Sequence, residues 1–251
     1  MGKFIKFILT AFVVISLLFT LGCKKASSER VISVATDATW PPMEMIDSNG
    51  NIVGFDIDLI NAAAEAGGFK VEIRSVAWEN IFVGLESGEY DAIITSVTIT
   101  EERKKQYDFS IPYIIAGQVL IVRDEEDDCN SLQDLVGRSV GTQIGTTGVY
   151  EIEKIDGVKL KSYGELGFAI ENLANGAIDC VVSDTPIAAS YVFHNDKYKG
   201  KLKIVGAPFT EEYYGIVVKK GNIKVLNTIN AGLKKILGTE IVSQLENKWL
   251  R

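Results

Sequence analysis

Histidine occurs once in these 251 residues, cysteine three times, tryptophan three times and proline five times. One histidine and two cysteines in the body of the chain are too few for a zinc cluster. Any Ser-His-Asp or Cys-His system would have to use His194, which stands beside Asn195, Asp196 and Lys197 with no recognisable nucleophile near it. That setting reads as a loop. Basic residues are also short, 26 against 33 acids, for a formal charge of −7. Without a basic surplus nothing neutralises a phosphate backbone, which excludes nucleic acid as a partner. No glycine-rich phosphate loop occurs, since Gly145-Thr146-Thr147-Gly148 is short and lacks the lysine. Only one long apolar run is present, so a polytopic membrane protein is excluded. At 47% hydrophobic and 24% charged, what remains is an ordinary globular composition, enough for one or two domains with real cores.

The apolar run covers residues 7–21, broken only by Thr10, Ser16 and Thr20 and preceded by Lys3 and Lys6. Its length of about 15 residues fits a secretory signal peptide better than a spanning helix, which needs about 20. The run closes on Thr20-Leu21-Gly22-Cys23 and then turns polar. Gly-Cys at this point is similar to a bacterial lipobox, in which Cys23 becomes the acylated first residue. Thr20 stands where leucine is usual, and an uncleaved anchor is the alternative. Residues 1–22 are thus expected to be a lipoprotein-type signal and 23–30 a tether. Cleavage leaves 229 residues and, with two lysines and no acid removed, a charge of −9. An acyl group would hold the chain at a membrane surface, in the periplasm or on the cell surface. Export implies an oxidising compartment, where Cys129 and Cys180 form one disulfide or serve as small core residues.

Strand-like and helix-like runs alternate through the rest. Strands are expected at 31–35, 70–76, 92–95 and 119–123, then at 139–143, 159–163, 178–182, 203–205 and 214–218. Helices are expected at 56–66, 79–87, 100–106, 131–135, 148–154, 164–174 and 186–194. The tail carries Val225, Ile229, Leu233, Ile236 and Leu237 near helical spacing, followed by a helix over about 240–249. Such alternation implies α/β layers around mostly parallel sheets. The cycle occurs twice, which suggests two lobes. Asp124-Glu125-Glu126-Asp127-Asp128 marks the sharpest shift in composition. It reads as a solvated loop. The alternative, a calcium site, lacks the loop glycine and terminal glutamate of an EF-hand.

Four stretches fall where strands give way to loops or helices, the edge where open α/β sheets bind ligands. In the first, Asp37-Ala38-Thr39-Trp40-Pro41-Pro42-Met43-Glu44, two prolines stiffen a loop beside an aromatic. The second is Trp78, a second aromatic wall or plain core. In the third, Ser96, Thr98 and Thr100 alternate with Val97 and Ile99, which puts the hydroxyls on one side. Thr100 then caps a helix, and Arg103 adds a planar fork that fits a carboxylate, unless it pairs with Glu101 or Glu102. The fourth joins Gln143-Ile144-Gly145-Thr146-Thr147 to Ser183-Asp184-Thr185-Pro186. Asp184 is there either a helix N-cap or an acceptor for an ammonium group. A guanidinium with hydroxyls, an acid and aromatic walls together suit an α-amino acid, whose two charges must both be satisfied once enclosed.

On these residues the sequence resembles the bacterial extracytoplasmic solute-binding proteins of family 3, the polar amino acid type that feeds ABC importers. The resemblance rests on Gly54-Phe55-Asp56-Ile57-Asp58-Leu59 with Ala63, Ala64 and Gly67, and on Thr98 to Arg103 with Asp108-Phe109-Ser110 and Pro112-Tyr113. Gly145 to Gly148, Asp184-Thr185-Pro186 and the tail Gly238-Thr239 with Lys248-Trp249 extend it over nearly all of residues 31–250. It implies an α/β, two-lobe periplasmic-binding-protein fold of type II, with mixed sheets and a hinge that closes on the ligand. The large lobe would take 31–113 and 210–251, the small lobe 117–207. Carried over by residue, Arg103 and Thr98 would hold the carboxylate with the Thr146 backbone, and Asp184 and Ser96 the ammonium. Trp40 and Trp78 would sandwich the side chain, and Asp37, Glu44, Gln143 and Thr147 would face its far end. Ser96 and Ser183 depart from common relatives, glycine being usual at the first. Two tryptophans beside two acids favour a cationic side chain, arginine first, then lysine or histidine. Glutamine or cystine is the alternative, through Gln143, and a cyclohexadienyl dehydratase-like enzyme a remoter one. The implied partners are an amino acid and an ABC permease, with a lipid anchor on Cys23, no cofactor or metal, and a monomeric chain.

Overall fold

The computed structural model describes residues 31–251; the expected signal peptide, tether and acylated Cys23 lie outside the described residues. The first segment runs β1 (Val31–Thr36), β2 (Thr39–Trp40), β3 (Glu44–Ile46), β4 (Ile52–Val53), α1 (Phe55–Gly67), β5 (Lys70–Ser75), α2 (Trp78–Ser87), β6 (Ala92–Ile93), α3 (Glu101–Gln106) and β7 (Tyr107–Phe109). The middle runs β8 (Ile114–Ala116), β9 (Gln118–Arg123), a 3-10 turn (Leu132–Leu135), β10 (Ser139–Gln143), α4 (Thr147–Ile152), β11 (Lys159–Tyr163), α5 (Leu166–Ala174), β12 (Cys180–Asp184), α6 (Thr185–Ala189) and β13 (Leu202–Val205). The last stretch is β14 (Glu212–Tyr214), β15 (Val217–Lys219), α7 (Ile223–Ile236) and α8 (Glu240–Trp249).

Two five-stranded mixed sheets organise these elements into two lobes. The first has the order β5-β1-β6-β15-β7, the second β11-β10-β12-β9-β13. Within each, four strands run the same way and one, β15 in the first and β9 in the second, runs against its two neighbours. The chain crosses between the sheets twice, through β8 and through β14, and the two crossings pair antiparallel as a two-stranded ribbon. A single strand over 214–218 was the expectation. The structure breaks it at Gly215-Ile216, because β14 belongs to the crossing ribbon and β15 to the first sheet.

Burial follows the pattern that built the elements. Val225, Ile229, Leu233 and Ile236 form the inner stripe of α7 and pack with Leu59, Ile60 and Ala63 of α1. Gly232 makes that approach possible, since a Cβ there would lie 2.2 Å from the Ala63 carbonyl oxygen. Gly54, at φ 142°, starts α1 where a Cβ would meet the Met43 carbonyl at 2.1 Å. Cys129 and Cys180 lie fully buried with their sulfurs 3.0 Å apart, both free thiols in the core of the second lobe. The acidic run is a surface loop in which Glu125 pairs with Arg123, Glu126 with Arg138 and Asp127 with Lys203. Among the described residues no group of three metal-ligating side chains converges, there or elsewhere. His194 lies exposed at the end of a π turn, Ser190–His194.

Candidate functional site

A small cavity lies between the ends of the two sheets, lined by Asp37, Trp40, Trp78, Thr95, Ser96, Thr98, Arg103, Gln143, Thr146, Thr147 and Asp184. Its wall gathers ten of the residues expected from sequence. Glu44 is the exception and needs correction. It is fully buried behind Thr95, whose hydroxyl donates to Glu44 Oε1 at 2.8 Å, so Thr95 and not Glu44 faces the cavity. Thr95 Oγ1 in turn accepts the Asp37 backbone N–H at 2.9 Å. Burial and the neighbouring Asp56 push the Glu44 carboxyl well up, and Asp56 rises to about 6 through burial. Glu44 Oε2 and Asp56 Oδ1 are buried without a hydrogen-bond partner, which disfavours charge on both carboxyls at once.

Arg103 enters from the first turn of α3. Thr100 caps that helix by accepting the Arg103 N–H at 3.1 Å. Glu101 and Glu102 pair with Lys104 and Lys105, which leaves the Arg103 guanidinium free of surface acids. Its Nη1 donates to the Thr98 carbonyl at 2.9 Å and its Nη2 to the Gly145 carbonyl at 3.2 Å. The group lies against the rings of Trp78 and Phe82, 5.6 and 6.0 Å from their centroids. Burial lowers its proton affinity, and nearby Glu212 and Asp184 act the other way. A planar cation beside aromatic rings keeps a two-pronged donor edge that fits an anion.

Asp184 takes the N-cap position of α6 but makes no capping bond. Its Oδ1 accepts from Gln118 Nε2 at 2.7 Å and its Oδ2 from the Tyr214 hydroxyl. Burial, with Glu212 nearby, raises its pKa to about 6. The Arg103 guanidinium acts the other way, and more weakly. Asp37 is also raised by burial, against the hydroxyl of Thr39 at 2.9 Å, and Gln143 Nε2 reaches toward it at 3.5 Å while donating to the Gly164 carbonyl at 2.9 Å. Ser96 holds a left-handed backbone, φ 52°, where glycine is the unstrained residue; its N–H donates to Asp56 Oδ2 at 2.7 Å. Trp78 is the first residue of α2, and its indole N–H donates to the Ile144 carbonyl at 2.9 Å. Thr146 turns its hydroxyl inward to the Gln143 carbonyl at 2.8 Å.

Sequence reasoning missed a second layer. Glu212 and Tyr214 of β14 and Gln118 of β9 are buried behind the wall. Glu212 Oε2 accepts from both Thr98 and Thr147, each at 2.7 Å, and Gln118 Nε2 also donates to Thr147 at 3.2 Å. The alternation Glu212-Tyr213-Tyr214, with Tyr213 exposed between two buried residues, was the available signal.

Residues 32–251 match the model of the bacterial extracellular solute-binding proteins, family 3. A probable histidine-binding protein of Neisseria gonorrhoeae is 37% identical over 214 residues, covering 84% of this chain and 80% of that protein. An ancestral arginine-binding protein bound to arginine superposes with a TM-score of 0.82 at 41% identity, over 88% of this chain and 98% of the other. The structure of an ancestral arginine-binding protein bound to glutamine gives 0.82 at 42%, over 87% and 97%.

Proposed function

The chain belongs to the bacterial extracellular solute-binding proteins of family 3, and from that premise we propose that it binds a basic amino acid, arginine first, and hands it to an ABC importer. The charge on the cavity wall carries this reading: one guanidinium, Arg103, against two carboxylates, Asp37 and Asp184, with Trp40 and Trp78 between. A ligand with one anionic and two cationic groups balances that set, and an aromatic face suits a cation. Arg103 would take the carboxylate, Asp184 and Ser96 the ammonium, and Asp37 the side-chain cation. Gln143 beside Asp37 supports glutamine as the second reading, because an amide can meet both.

The same reading takes residues 1–22 as the export signal, Cys23 as the lipid anchor, and a monomer with lobes at 31–113 plus 210–251 and at 117–207. The role is binding without turnover, so incubation with prephenate or arogenate should yield no product. The direct test is a heat melt of the ligand-stripped chain with each amino acid in turn. A ligand at 100 times its Kd adds about 2.7 kcal/mol of stability. Arginine should give the largest upward shift; no shift with any amino acid would reject the reading.

A further inference from the structure

We propose that Glu212, which lies behind the cavity wall, sets the hydrogen-bonding polarity of the site by taking the hydroxyl protons of Thr98 and Thr147, so that both threonines meet a ligand as acceptors and select for its α-ammonium group. The inference rests on the amino-acid-binding reading and assigns a positioning residue within it.

Glu212 is buried in the crossing strand β14. Its carboxylate oxygens accept from hydroxyls: Thr98 and Thr147 on Oε2, both at 2.7 Å, and Thr210 on Oε1 at 3.0 Å. A carboxylate only accepts, and a hydroxyl has a single proton to donate. The protons of Thr98 and Thr147 therefore point at Glu212, and what remains on each oxygen is lone-pair capacity. Thr147 gives part of its share to Gln118 Nε2 at 3.2 Å.

Thr98 then cannot offer its hydroxyl to a ligand carboxylate, contrary to the role its family resemblance implies. Its backbone is better placed for that. Ile99 N–H bonds to the Tyr213 carbonyl at 2.8 Å and Gly215 N–H to the Val97 carbonyl at 3.0 Å. In such a bridge the N–H and C=O of the intervening Thr98 point away from the partner strand. The Thr98 carbonyl there receives Arg103. The wall is thereby sorted into a donor side at Arg103 and an acceptor side formed by Asp184, Thr98 Oγ1 and Thr147 Oγ1. A ligand without an ammonium group leaves that acceptor side unpaired and buried, which is what makes the discrimination large.

Glu212→Gln is isosteric but brings amide protons. An amide N–H facing either threonine turns that hydroxyl proton into the cavity, where it opposes an ammonium. The probes are L-arginine and its des-amino analogue, 5-guanidinopentanoic acid. Both are measured by calorimetry and by competition at millimolar concentration, on ligand-stripped wild-type and variant chains whose melting is checked first. The expected result for E212Q is at least tenfold weaker binding of L-arginine, with the des-amino analogue changed by less than about twofold. Glu212→Asp, which keeps the acceptor charge, should retain most of the wild-type ratio. Thr98→Val gives a route that does not depend on E212Q folding, and it should weaken only the amino acid. Equal weakening of both probes by E212Q or T98V, or no change in either, would overturn the role of Glu212. A wild-type chain that binds no amino acid at all would overturn the functional reading instead. Should the panel single out another amino acid, that one and its des-amino counterpart are the pair to use.

Discussion

Arg103 decides which end of a ligand enters where, and nothing smaller than a guanidinium does both of its jobs. It anchors to two carbonyls, those of Thr98 and Gly145, and lies within about 6 Å of the ring centres of Trp78 and Phe82. Arg103→Lys keeps the charge but loses the planar fork that reaches both carbonyls. Calorimetry should show binding weakened about 100-fold or more, with the fold intact. Asp184 gives a pH signature. Its pKa of about 6 lies above the ordinary 3.8, so the folded chain holds a proton that the unfolded chain has released between those values. Stability of the ligand-free chain therefore falls as pH rises from about 4 to 6. Binding of an ammonium needs the ionised form, so affinity moves the other way. It should be about tenfold weaker at pH 5 than at pH 7, since a group of pKa 6 is about one-tenth ionised at pH 5. Asp37→Asn should cost arginine more affinity than glutamine, read from the ratio of their Kd values. Residues whose chemistry is local, such as Arg103 after its Thr100 cap, are legible in sequence. Glu212 is not, because its partners Thr98 and Thr147 are 114 and 65 residues away. Glu44 misleads for the related reason that Thr95, 51 residues on, takes the place at the wall.

At the scale of elements, long amphipathic pieces are legible and short paired ones are not. The stripe of α7 and the Gly67-Gly68 stop of α1 follow from spacing and backbone freedom, and β11 falls at 159–163 as the pattern predicts. The strands β2, β3, β4, β7 and β8 are two or three residues long. So short a run has no period to read, and its identity comes from a distant partner, as β8 from β14. The contact of α1 with α7 allows a clean test. Gly232→Ala places a methyl against the Ala63 carbonyl, so the helices must separate. Denaturant titration should show a loss of about 1–3 kcal/mol, with Kd unchanged for the folded molecules, because Gly232 is absent from the cavity wall.

For the molecule as a whole, the two mixed sheets are joined by the β8–β14 ribbon and by contacts around the cavity. Trp78 reaches Ile144, Arg103 reaches Gly145, and Glu212 joins Thr98 to Thr147. Those bonds tie residues that flank different sheets, so the two edges of the cleft are held together. Two lobes were legible because the strand–helix cycle repeats. Closure was not, because it depends on bonds between side chains and carbonyls far apart in sequence. What the whole account requires is that one small zwitterion span the gap, its anion on one lobe and its cation on the other. A crystal structure of the chain grown with L-arginine tests this most directly. It should show the ligand carboxylate on the Arg103 guanidinium, the ammonium on Asp184 and the side chain between Trp40 and Trp78. Ligand density in the reverse orientation, or anywhere outside this cavity, would contradict it.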